Sequence, residues 1–584
     1  MSIDRPDDGL KTPSQEQLPD PFRKLPEVFE RKLANAGKLI RGETPPESLR
    51  GIEGLEALQD AQDVLAAALV AAATSKSQVV SFKTKENFEE DLATGVVSDK
   101  FATALMLGSP GFHVDFGMQV EGDDSPAYQA FWAAYKQAIV SRLGFLRRSE
   151  ELARTAGLLH ADPMEGEDVT ATFLLRERLA TFYRSAVDII EAEVPGETPE
   201  VLRNFPEPVR EELLRQLFTI ELTKGCTVRC DFCGLSAGGK LTGKFAFGDV
   251  LKILAEAQRH IIEDKSAPEE RQMTPPFLYY ATDPYDYRAK DRHGVVRNYA
   301  DVLTAYRSIW ARYPFTSTAY PKGAKAALQR SGLQLSRLSL SDVNRDRLQE
   351  DGLIQLFDRE HGTFVPTDPG LAESLFFGGT KKLAMMSAHF MAFGTMKAKD
   401  VAARYWMRNP GISEVYNFLS RPAAIQYSYA GRQRAKPEFP GEERKPGEDP
   451  LGNTIACRDG VIIGPLEVRN SVRLFASDRY PDGLSDAVIK TENLALGAQK
   501  AAELGKRAEE QGEVHIEELL PYVVIRFSSA NEKMPSVDVV DERRVDYNDV
   551  SFTYYAGGDF SQKKRGTMFV SMVTGLVKKI ELEQ

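Results

Sequence analysis

Residues 217–236 read LFTIELTKGCTVRCDFCGLS. The apolar run Leu217–Leu222 reads as a short buried strand, and it opens directly onto a loop carrying Cys226, Cys230 and Cys233. Their spacing is C-x3-C-x2-C, and the 584-residue chain has only four cysteines, so three within one loop is not a chance scatter. Thiolates this close can converge on one metal centre. Three of them leave one iron of a [4Fe–4S] cube without a protein ligand. A small molecule with an amine and a carboxylate can chelate that iron. Incidental cysteines and a zinc loop are the alternatives. Structural zinc usually takes four ligands from two spaced pairs, and the nearest downstream histidine is His260.

Beyond the loop, helical and strand-like stretches alternate. Phe247–Ile262, Tyr299–Tyr313, Lys322–Gln329 and Val343–Glu350 read as helices. Phe277–Ala281, Phe315–Tyr320 and Leu335–Leu340 read as strands between them. Consecutive βα units predict a parallel sheet, in a barrel or half-barrel. Upstream, Leu55–Ala73, Ala127–His160, Val169–Glu193 and Thr198–Leu217 read as helices, the last broken near Pro206 and Pro208. Downstream, His361–Pro369 reads as a loop, Lys436–Pro450 as a linker and Ser485–Gln511 as a helix. Tyr522–Phe527, Val550–Tyr555 and Met568–Val573 read as strands. The expected division is a disordered arm (1–25), a helical region (26–214), the βα array (215–470, with an insertion around 355–450) and an α+β region (471–584).

Composition narrows the partners. A net charge of −11 with only short basic clusters gives no electrostatic footprint for a nucleic acid. The longest apolar run, Val64–Ala73, is well short of the about 20 residues of a membrane span. The polar start of the chain lacks a secretory core, and the cysteine count excludes a disulfide scaffold. The expected setting is cytosolic and reducing. No G-x-S-x-G elbow, Walker loop or H-E-x-x-H stands in the sequence.

Cys226, Cys230, Cys233, the aromatic Phe232 and the strand before them resemble the radical S-adenosylmethionine (SAM) superfamily. The resemblance covers about 215 to 345, extending toward 470. It implies a partial (β/α)6-type barrel whose three cysteines bind a [4Fe–4S] cluster with SAM on the fourth iron. An external reductant such as flavodoxin or ferredoxin is implied as well. The family's second strand ends in a Gly-Gly-Glu-Pro-like turn; here Ala281-Thr282-Asp283-Pro284 stands there without the glycines. Thr282, Asp283 and Pro284 are therefore assigned to SAM, with Phe232 and Gly234 in the loop. Ser317, Arg337 and Ser339 at later strand ends join them, Arg337 and Ser339 sharing one strand face. Gly460–Glu467 fits the family's G-x-I-x-G-x-x-E, which places Ile462 near the adenine. Lys224 and Gly225 shape the entry to the loop.

Cys457 has two readings, an inert buried thiol or a hydrogen-atom donor to a substrate radical. One remaining cysteine does not suffice for a second cluster. Tyr279, Tyr280, Tyr285 and Tyr287 read either as pocket lining or as packing, and His293 and His389 are weaker candidates. The large flanking regions suggest a peptide or protein substrate. A rearranged small metabolite, or a non-catalytic scaffold stabilised by metal, is the alternative.

Overall fold

In the computed structural model the described residues are 25–76, 144–159, 168–194, 196, 198–228, 239–263, 276–280, 282–310, 314, 316–330, 337–338, 345–358, 363–366, 460–474, 484–512, 514–526, 547–558, 560–571 and 574–583.

The N-terminal part is helical because its apolar residues recur on one face. In α1 (Leu25–Ile40), Phe29, Ala36, Leu39 and Ile40 are buried, with Glu27 in the first turn and Lys38 in the last, as the helix dipole favours. In α2 (Gly51–Lys76), Leu55, Leu58, Ala61, Leu65 and Ala68 form the buried stripe. In α3 (Asp168–Glu193) it is Leu179, Phe182, Ala186 and Ile190. Of the expected helix Ala127–His160, the described part is helical over 144–155 and ends at Gly157, whose φ of +70° suits glycine.

The βα array begins with α4 (Glu207–Arg215) and the fully buried β1 (Leu217–Ile220). Next come β2 (Thr223–Lys224) and β3 (Gly243–Lys244), paired antiparallel, so the two ends of the cysteine loop meet in a ribbon. Helices α5 (Phe247–Glu263) and α6 (Tyr299–Trp310) follow. Every residue of α6 is buried, because α2 and α3 pack on it as well as α5. The N-terminal helices and the array thus share one hydrophobic core. Asp63 of α2 crosses that boundary, bonding Lys32 of α1 at 2.7 Å and Arg307 of α6. Burial pushes its carboxyl up, but the two cations hold it below the usual range.

Phe277–Ala281 contributes a single parallel bridge, Phe277 to Thr219, before the chain bends into the turn that Asp283 caps. In the next two runs the described residues include β4 (Ser317–Thr318) and β5 (Arg337–Leu338), paired parallel. Ile354–Asp358 pairs antiparallel with Thr363–Pro366, a hairpin where the sequence reads as a loop. No continuous barrel is traced among the described residues. β1 instead pairs parallel with β6 (Gly460–Ile463), which continues antiparallel into β7 (Val468–Arg473) and β8 (Leu484–Val488). The architecture shown is mixed helix and sheet. The expected helix Ser485–Gln511 splits accordingly. Ladder bonds to β7 draw its first residues into β8, and only Thr491–Leu494 and α7 (Gly497–Gln511) are helical.

The C-terminal sheet has strands β9 (Val514–His515), β10 (Val524–Ile525), β11 (Tyr547–Tyr555), β12 (Lys563–Ser571) and β13 (Leu576–Leu582). They lie in the order β9-β13-β12-β11-β10, all antiparallel. The strand Leu576–Leu582 is absent from the sequence reading. α7 packs on the sheet over a second core of Leu504, Ala508, Phe552, Met568 and Val570. Asn470 of β7 joins this sheet to the first: its amide donates to the carbonyls of Leu520 and Val523 and accepts the Ile525 N–H.

A second link is Glu212 of α4, which accepts from Thr553 at 2.8 Å and Lys563 at 2.7 Å. Burial raises its carboxyl, yet Lys563 and Thr553 bring it to a net position below the usual range. Protonating a carboxyl held low in the folded chain favours the unfolded chain. Its contribution is therefore complete above an unfolded pKa of about 4.3 and is lost as pH falls below it. The Glu212→Gln variant is expected to show a flatter loss of stability on acidification than the parent, measured by urea unfolding across that range.

Candidate functional site

The cysteine loop leaves the C-terminal end of β1, where ligands of α/β sheets commonly sit. Gly225 has φ +91°, a conformation costly for other residues, and it turns the chain into Cys226. Three contacts lay this loop along the turn that follows Phe277. The hydroxyls of Thr223 and Thr282 are 2.5 Å apart. Asp286 accepts the Thr227 N–H at 2.8 Å and the Thr227 hydroxyl at 2.5 Å, one on each oxygen. Cys226 is half-buried, and the backbone N–H groups of Val228 and Asp283 favour its thiolate.

Burial pushes the Cys226 thiol up to about 12, and the Asp283 carboxylate acts the same way; the Val228 N–H opposes them. Such a thiol is a poor free nucleophile. As a ligand it must release its proton to solvent as a cation takes its place and stabilises the thiolate. Backbone N–H groups that favour the thiolate and a partly dehydrated position suit a thiolate bound to iron. Cys226 in a C-x3-C-x2-C loop therefore fits an iron–sulfur ligand. Among the described residues no three His, Cys, Asp or Glu side chains are grouped to hold a metal ion. Cys230, Cys233, Phe232, Gly234, Ser339 and Cys457 lie outside the described residues, as does His389.

Asp283 is buried, and its carboxylate turns to the end of the third strand rather than to the cysteine loop. It accepts the Ala319 N–H at 2.7 Å, the Thr318 hydroxyl at 2.9 Å and the Tyr285 N–H at 3.0 Å. Burial raises it to about 7, against the pull of Ala319 and Thr318, and Asp286 adds to the rise. The Thr318 oxygen in turn accepts the Tyr320 N–H. Tyr320 is held at φ +57°, a strained position for a side-chain-bearing residue, with its hydroxyl on Asp351 and Arg347 over its ring. In the strand pair, Ser317 lies opposite Arg337.

On the other side of β1, Ile462 is buried within β6, opposite Thr219 of β1 and Arg469 of β7. The glycines flanking it have steric reasons. A Cβ on Gly460 would sit 2.8 Å from Phe218 Cβ, and one on Gly464 would sit 3.1 Å from Glu221 Oε2. Glu221, buried at the end of β1, receives Arg469 at 2.7 Å. The same guanidinium reaches Asp486 at 2.9 Å and lies over the Tyr280 ring. Glu467, the last residue of the G-x-I-x-G-x-x-E run, pairs with Lys224 at the loop entry. Tyr285 and Tyr287 are core residues; Tyr285 stacks edge-on to Tyr299, and Tyr287 donates to the Phe245 carbonyl. His293 is exposed on a hairpin, 3.8 Å from Glu193.

Sequence reasoning missed Thr223, Glu221, Asp286 and Arg469. The only local signal was the acid three positions after Asp283. Among the described residues no helix is long and apolar enough to cross a membrane. The chain matches no family model, no curated protein and no solved structure.

Proposed function

We propose that this chain is a radical SAM enzyme with a single [4Fe–4S] cluster on Cys226, Cys230 and Cys233. The observation that carries the proposal is the C-x3-C-x2-C spacing directly after β1. The bonds from Thr223 and Thr227 to the turn at 282–286 support it. When bound, the cluster and SAM supply reductive cleavage to methionine and a 5′-deoxyadenosyl radical that takes a hydrogen atom from the substrate. The chain's own residues bind and orient. Thr282 and the strand-end backbone lie beside the loop, and Asp283 fixes the turn against the third strand. Arg469 and Glu467 brace the loop entry through Glu221 and Lys224. Electrons come from an external donor such as flavodoxin or ferredoxin. A peptide or protein substrate fits the extent of the flanking regions.

The test is anaerobic reconstitution of the full chain with iron and sulfide, followed by reduction in the presence of SAM. The expected result is a brown protein that forms 5′-deoxyadenosine. Zinc without iron, or iron without SAM cleavage, overturns the proposal and favours a metal-stabilised scaffold.

A further inference from the structure

We infer that Asp286 is the positioning residue of the cysteine loop. Two ties bracket Cys226: Thr223 to Thr282 on one side and Thr227 to Asp286 on the other. The first joins two neutral hydroxyls. The second is charge-assisted and uses both carboxylate oxygens on one residue, one for the Thr227 N–H and one for its hydroxyl. Charge-assisted bonds of this kind are the stronger class. Asp286 is itself fixed, because it closes the short turn that Asp283 caps and Asp283 is bonded to the third strand end. Between the ties stands Gly225, whose backbone is free to adopt many other conformations. Without Asp286 the described stretch after Gly225 loses its tie to the turn, while the Thr223 tie and the β2–β3 ribbon still hold the loop entry. The role differs from ligand contact, since Asp286 acts on Cys226 through Thr227. The benefit to an iron centre rests on the radical SAM reading; the clamp itself does not.

The experiment labels the metal-free full-length chain with iodoacetamide at fixed pH and follows the Cys226 peptide by mass spectrometry. Asp286→Ala is expected to speed Cys226 labelling about tenfold or more, the scale of a lost charge-assisted bond. Asp286→Asn removes the charge but keeps a neutral acceptor for the Thr227 N–H, and is expected to label at a rate between the parent and Asp286→Ala. That comparison separates the clamp from simple removal of a neighbouring charge. Circular dichroism and the melting midpoint check the fold. If Asp286→Ala does not fold, Thr227→Ala, which deletes only the hydroxyl bond, is labelled instead and is expected to react faster than the parent. Parent-like labelling of Asp286→Ala, or equal acceleration by Ala and Asn, overturns the inference. Iron bound per chain after reconstitution is measured in parallel. If the parent takes up no iron while labelling responds as expected, the clamp stands and the radical SAM reading fails.

Discussion

Cys226→Ala is expected to abolish iron–sulfur loading and, with it, all SAM cleavage. Two thiolates do not hold a four-iron cube that ordinarily takes three or four protein ligands. Cys226 also has a prepared position. It follows the Gly225 bend, and the N–H groups of Val228 and Asp283 favour its thiolate. Serine is not a substitute, because an alkoxide ligand is harder and far more basic than a thiolate. The variant is expected to retain the parent's circular dichroism and melting midpoint, since Cys226 is half-buried at the rim of the sheet rather than in its core. Iron and sulfide analysis after anaerobic reconstitution, with chromatography for 5′-deoxyadenosine, reads the effect. A variant that keeps the parent's iron and turnover refutes the assignment of Cys226. Loading is also expected to weaken as pH falls, because burial favours the protonated thiol that the metal must displace.

Arg469→Met is expected to give the largest loss of stability of any single change near the site. The guanidinium is about nine-tenths buried and faces Glu221, whose side chain is 2% exposed. Removing the cation leaves a carboxylate stranded at the end of β1, and breaking a buried pair from one side costs about 3–5 kcal/mol. Asp486 and Glu467 cluster on the same cation and add to the repulsion left behind. Urea unfolding measures the shift. Replacing Glu221 as well, in Glu221→Met/Arg469→Met, is expected to recover part of the loss, because no lone charge then remains buried. A double variant no more stable than Arg469→Met would show that the deficit comes from lost packing around Tyr280 and the β6–β7 hairpin.

The pieces of this fold that were legible in sequence share one property: their signal is local. Phe247–Ile262 and Val169–Glu193 carry apolar residues at helical spacing, and the structure has helices at Phe247–Glu263 and Asp168–Glu193. Ser485–Gln511 misled because helix formers dominate its composition, while the ladder to Arg469–Arg473 decides its first residues. The hairpin at 354–366 and the last strand depend on pairing partners rather than on their own pattern. The site divides in the same way. Cys226, Cys230 and Cys233 announce themselves by spacing. Asp286 and Thr227 are 59 positions apart, and Glu221 and Arg469 are 248 apart, so no window along the chain shows either pair. Asp283 was singled out in sequence as a residue at the strand end, but its partners Thr318 and Ala319 become visible only once the third strand end is placed.

The wholly buried α6 also bears on how the chain is made. Helices α2 and α3 are complete at Glu193, while α6, which packs on both, begins only at Tyr299. At about 5–20 residues per second, a ribosome needs about 5–20 s to synthesise the stretch between them. For that interval α2 and α3 stand without the helix they pack on in the folded chain. Holdase chaperones would meet this nascent chain at that stage, and slow codons between residues 200 and 300 would lengthen the exposure.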